Sequence, residues 1–172
     1  PRANRYRSWH DDDLGIVEHH HSDSESIYDR GPYLHFFRNA PGDAAAIMVT
    51  LCNLATDRWY DSEARLRLED PQTNQFGERL SPFAMKVPLP SGGSAVWKGS
   101  ANIYRWSGGG LPPCKIITNV LMAFEFWIYE EIDARRNVDA ILENVVSEGG
   151  SAGLAGCLID KKKKHPDLFL GP

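Results

Sequence analysis

The stretch "VEHHHSDSESIYDRG", residues 17–31, sets three histidines in a row behind Glu18, with "HDDD" upstream and Asp23 just downstream. Imidazoles beside carboxylates are the side chains that hold zinc or manganese in metallohydrolases. Geometry argues against that use here. Consecutive residues do not share a face in a helix or a strand, so His19, His20 and His21 cannot all reach one ion. A zinc site takes histidines at i and i+4 of a helix, or at alternate strand positions. His19 and His21 meet the second case, with Asp23 or Glu18 adding oxygen. Yet no "HExxH" follows and no distant ligand cluster stands out. The expectation is a surface loop and no metal. A metal-dependent enzyme using His19, His21 and Asp23 is the rival reading.

Phosphate chemistry fares no better. "GGSAVWKGS" (92–100) has glycines and a lysine, but a phosphate loop needs G-x-x-x-x-G-K-[ST] between a buried strand and a helix. Here Lys98 precedes Gly99. In "WSGGGLPP" prolines stand where a phosphate wants amide donors. There is no G-x-S-x-G nucleophile motif. Cys52, Cys114 and Cys157 are odd in number and widely spaced, in apolar surroundings where a thiol behaves as a small inert hydrophobe. They form neither a disulfide framework nor a zinc knuckle, which fits a reducing cytoplasm. "DKKKKHPD" (160–167) reads as a solvated helix end. No catalytic residue and no cofactor is assigned to this chain.

The elements that would position any site follow from periodicity. Residues 1–30 are a polar arm or loop, 31–70 a helical segment, 71–110 a loop and β insertion, and 111–172 a helical hairpin segment. Pro32 suits the first turn of a short helix that "NAPG" ends. Asp43 reads as the cap of a helix over about 44–60 or a little beyond. Ala44, Ile47, Met48, Leu51, Leu54, Ala55 and Trp59 share one broad face of it. Met85, Val87 and Leu89 alternate as in an edge strand, "SGGS" is a turn, and "AVWKGSANIYRW" reads as two short strands around Gly99–Ser100. Pro112 and Pro113 open the strongest helix, about 114–134, with Ile117, Val120, Leu121, Phe124, Ile128 and Ile132 on its main stripe. Met122, Phe126 and Tyr129 lie on about the opposite side, so both sides should be covered. Asn137 and Ser151 cap two further helices, separated by Gly149–Gly150. The fold class expected is mainly α: stacked, HEAT-like helical hairpins with a small β-rich insertion.

At 172 residues, 42% hydrophobic and 24% charged, the chain has ordinary globular usage. Its net charge of −4 offers no basic face for nucleic acid. The most apolar run, "VLMAFEFWIY", is broken by Glu125 and too short for a membrane span. The start lacks an initiator Met and the end stops on "PDLFLGP", as if cut from a longer polypeptide.

The C-terminal third, "NVLMAFEFWIYEEIDARRNVDAILENVVSEGGSAGLAGCLIDKKKKHPDLFLGP", resembles a helical segment downstream of the ATPase core in very large bacterial STAND-type (NACHT-like) ATP-binding proteins. The similar features fall on Leu121–Tyr129, Asn137–Val146 and Ser151–Phe169; "DRGPYLHFFRNAP" and "IYRW" are similar to other pieces of that architecture. One departure is the unbroken lysine run 161–164, where the family has a small or apolar residue among the lysines. The resemblance implies a multidomain cytoplasmic protein connected with sensing or antiphage defence. It places the ATPase module, and any ATP, in the parent protein outside this chain.

The function expected is a non-catalytic scaffold that contacts other domains of its polypeptide or protein partners, and self-associates when isolated. Its expected interaction residues are Trp97, Tyr104 and Trp106 in the aromatic insertion, and Met122, Phe126 and Tyr129 on the strongest helix. A self-contained ligand-binding domain using the aromatic insertion is a second rival.

Overall fold

A computed structural model of the chain describes residues 31–69, 82–89, 92–107 and 115–165. The polar arm 1–30, with His19, His21 and Asp23, lies outside the described residues, as does the "PDLFL" segment. The described part is mainly helical, with one small two-stranded antiparallel sheet.

Helix α1 spans Tyr33–Asn39 and α2 spans Pro41–Glu69. Only Ala40 separates them, as the C-cap of α1, and its N–H donates to the Phe36 carbonyl at 2.8 Å. Helix α2 therefore begins earlier than the capping residue Asp43 implied. Pro41 opens it, because its missing N–H falls where a helix has no acceptor to offer. Asp43 sits inside the first turn, where a carboxylate favours the positive end of the helix dipole.

Strands β1 (Phe83–Pro88) and β2 (Ser94–Gly99) form the hairpin. Gly92 and Gly93 adopt φ of 87° and 86° at its turn, a region that costs a glycine nothing. Phe83 pairs with Gly99, Met85 with Trp97 and Val87 with Ala95. The second strand expected after Gly99 is instead helical: α3 covers Ala101–Tyr104 and a 3-10 turn covers Arg105–Ser107. Ser100 decides this, since its Oγ accepts the Ile103 N–H at 3.3 Å and caps the turn. Local capping outweighs the β propensity of Ile103, Tyr104 and Trp106.

Helices α4 (Lys115–Asp133), α5 (Asp139–Glu148) and α6 (Ala152–Lys164) complete the chain. Asn137 Oδ1 accepts the Asp139 N–H at 2.7 Å and so starts α5, although the residue at the cap position is Val138. Ser151 caps α6 by accepting the Gly153 N–H at 3.1 Å.

The core lies between α1, α2, α4 and α6. Phe37 of α1 stacks on Trp127 of α4 and meets Phe124 at a tilt, with ring centroids 5.6 and 5.3 Å away. Met48, Cys52, Ile117, Leu121, Ile128, Leu142, Leu154 and Cys157 are fully buried around them. Each large aliphatic or aromatic side chain so placed contributes about 1.5–3 kcal/mol by leaving water. In α4 the stripe Ile117, Val120, Leu121, Phe124 and Ile128 is buried, with Ile132 partly so. In α2 the buried set is Ala44, Ala45, Met48, Val49, Cys52, Ala55, Thr56 and Trp59, so the core face is rotated away from the expected Ile47 and Leu54, which are exposed.

Candidate functional site

Two polar clusters lie within this frame. The first joins α4 to α6. On α6 the buried residues Leu154, Cys157 and Leu158 follow the spacing of one face, and the next position on that face is Lys161. Lys161 is consequently 1% exposed, although it opens a four-lysine run. Its expected place on a solvated helix end is corrected by this register: Lys163 and Lys164 are exposed, whereas Lys161 points inward.

Glu125 and Tyr129, one turn apart on α4, receive it. Lys161 Nζ donates to Glu125 Oε1 and, at 3.3 Å, to Tyr129 Oη. The phenol in turn donates to Glu125 Oε1 at 3.3 Å. The ammonium also stands 4.8 Å from the Tyr129 ring centroid, within cation–π range. Lys164 flanks the same ring at 5.5 Å, and its contact with Tyr129 raises its pKa. The His165 ring lies 5.5 Å from that of Tyr129. One turn before Lys161, burial pushes the Cys157 thiol up to about 12, against a smaller opposing influence of the lysine. A protonated thiol is a poor nucleophile. Lys161, Glu125 and Tyr129 are hydrogen-bonded to one another.

The second cluster ties the middle of α2 to the α5–α6 junction. Asn53 Nδ2 donates to the Glu148 carbonyl at 3.0 Å, and Asn53 Oδ1 accepts the Gly150 N–H at 2.8 Å. One turn on, Thr56 donates to Ser151 Oγ at 2.7 Å in a fully buried contact. The hairpin joins the same place: Lys98 N–H donates to the Gly150 carbonyl at 2.7 Å, and its Nζ pairs with Asp57 Oδ1 at 2.8 Å. That hydrogen bond to Asp57 raises the Lys98 pKa. The approach is close enough that a Cβ on Gly99 would lie 2.3 Å from the Ala152 Cβ.

The residues expected to meet partners are distributed differently. Trp97 and Trp106 are buried within this chain, at 5% and 3% exposure, and Tyr104 is partly buried. Met122, Phe126 and Tyr129 are all half-buried on α4. The indole N–H of Trp97 and the amide oxygen of Asn119 are buried without a hydrogen-bond partner among the described residues. Among the described residues no group of three His, Cys, Asp or Glu side chains could hold a metal ion. The signal for Lys161 was present in the sequence, as the continuation of the Leu154–Cys157–Leu158 stripe. The signal for Asn53 was not, because its partners are backbone groups more than ninety residues away.

No family model, no curated protein and no solved structure matches the chain. Among the described residues no helix is long and apolar enough to cross a membrane.

Proposed function

We propose that the chain is a non-catalytic helical scaffold, a run of stacked, HEAT-like hairpins within a large cytoplasmic STAND-type ATP-binding protein. It transmits signals between a sensing or antiphage effector module and an ATPase elsewhere in that polypeptide. The observation that carries this reading is the hairpin. Phe83 and Met85 on one face of the hairpin, and Val96 beside Lys86 on the other, are large, apolar and exposed, on strands anchored through Lys98 to the α5–α6 junction. Exposed apolar side chains on a braced element are what a docking surface requires. The polar clusters support the same reading, because their donors and acceptors are spent on holding α2, α4, α5 and α6 together.

Calorimetry tests it. The 172-residue chain should show no saturable ATP binding, whereas the parent polypeptide should bind ATP. Met85→Glu with Val96→Glu should leave the circular dichroism of the chain unchanged and abolish its co-purification with the remainder of the parent. Micromolar ATP binding by the chain alone would overturn the scaffold reading.

A further inference from the structure

The outer face of α2 carries an apolar pattern that its own fold covers only in part, through Leu51, which packs against the edge of the core. Ile47 and Leu54 are 45% and 42% exposed, with half-buried Leu51 between them. The spacing 47, 51, 54, 58 alternates four and three residues, the spacing of a helix seam. Exposed Asp43 and Arg58 bracket it. At 100° per residue Asp43, Ile47, Leu51, Leu54 and Arg58 fall within about 80° of one another, centred about 130° from the middle of the core face. Neither Asp43 nor Arg58 has an ion-pair partner among the described residues.

The order of these residues is self-complementary. Asp43 and Arg58 share a midpoint with Ile47 and Leu54, between residues 50 and 51. A second α2 laid antiparallel about that midpoint meets Ile47 with Leu54, Leu51 with Thr50, and Asp43 with Arg58, each twice. The seam then spans about 22 Å at 1.5 Å per residue, with opposite charges closing both ends. This is the isologous pattern of a twofold dimer, in which one patch is its own complement. A parallel arrangement would instead set Asp43 against Asp43 and Arg58 against Arg58.

We propose that this face of α2 docks a second copy of the chain, antiparallel, with its twofold axis between Thr50 and Leu51. The proposal does not depend on the identity of the parent protein. Three apolar residues per copy form a seam smaller than the roughly 800 Å² per partner of a stable interface. The dimer is therefore reversible and concentration-dependent.

Analytical ultracentrifugation of the 172-residue chain, from micromolar to about 1 mM, tests it. The expected result is a monomer–dimer equilibrium. Asp43→Lys or Arg58→Glu alone should raise the dissociation constant about tenfold, since each sets like charges together twice. The double swap D43K/R58E should recover most of that loss, and Ile47→Glu with Leu54→Glu should abolish dimerisation. Circular dichroism checks that each variant remains helical. A concentration-independent monomer overturns the proposal, including the case in which a different protein occupies this face. So does a dimer indifferent to the substitutions, or one weakened by each charge reversal and not recovered by the swap.

Discussion

Lys161 of α6 is held by Glu125 of α4 across 36 residues of sequence, with its side chain at 2% exposure and the carboxylate at 26%. That asymmetry yields an unequal pair of mutations. Glu125→Leu strands a buried ammonium and should cost about 3–5 kcal/mol. Lys161→Met leaves a carboxylate that water can still reach and should cost less than half as much. The double variant should lie within about 1 kcal/mol of the parent, because the pair's attraction mostly offsets its desolvation. Urea denaturation of the three variants measures this. Glu125→Leu at parental stability would mean that the lysine escapes to solvent.

Asn53 should be more sensitive than its half-exposed position on a long helix implies. Asn53→Ala removes two hydrogen bonds and leaves the Gly150 N–H without its acceptor, for a loss of about 2 kcal/mol. Asn53→Asp keeps that acceptor but turns a carboxylate oxygen toward the Glu148 carbonyl, so it should also destabilise at neutral pH. Amide hydrogen exchange at Gly150 offers a local check: protection should fall in Asn53→Ala and persist in Asn53→Asp.

Gly99 meets Ala152 too closely for any side chain. Gly99→Ala should cost more than about 2 kcal/mol through overpacking. The obstructing atom is the Ala152 Cβ, so Ala152→Gly in the same chain should return part of the loss, the remainder being backbone strain at Gly99, whose φ is 158°. A double-mutant cycle by thermal denaturation reads the coupling. Simple additivity of the two substitutions would show that the hairpin and α6 move apart freely.

The regular elements were legible in the sequence wherever apolar residues recur with a clear period. The stripe of α4 from Ile117 to Ile128 and the Ser151 cap of α6 are examples. Two things were hidden. Ser100 directs the chain into α3 through one side-chain hydrogen bond, against the strand propensities that follow it. The facing of α2 was ambiguous because Ile47, Leu51 and Leu54 extend its apolar arc well beyond what one core can cover. The inward turn of Lys161 was readable from the stripe it continues, but the adjacent lysines obscured it. The tie from Asn53 to the α5–α6 junction has no local signature.

Arg38 and Glu130 form a two-pronged ion pair between α1 and α4, with Nε 2.9 Å from Oε2. The guanidinium holds the Glu130 carboxyl below its ordinary pKa. A carboxyl lowered in the folded state stabilises above its unfolded pKa of about 4.3, and that contribution fades as pH falls through the folded value. Arg38 is 50% and Glu130 31% exposed, so solvent screening limits the pair to under about 1 kcal/mol. Arg38→Met should therefore be slightly less stable than the parent near pH 7, with the gap narrowing as pH falls through the unfolded value and on through the lower folded one. Denaturation across that range checks it. A gap that widens on acidification would place the stabilising charge elsewhere.

The bonds that close α2 against the rest of the fold join residues far apart in sequence: Asn53 to Gly150 across 97 positions and Thr56 to Ser151 across 95. During translation α2 emerges long before either partner exists. At about 5–20 residues per second, the ribosome takes roughly 5–20 seconds to deliver them. For that interval the core face of α2, with Met48, Cys52 and Trp59, has no α6 to pack against. A nascent chain of this kind is a natural client for a chaperone that binds apolar helix faces, and slowed translation between residues 60 and 150 would lengthen its exposure.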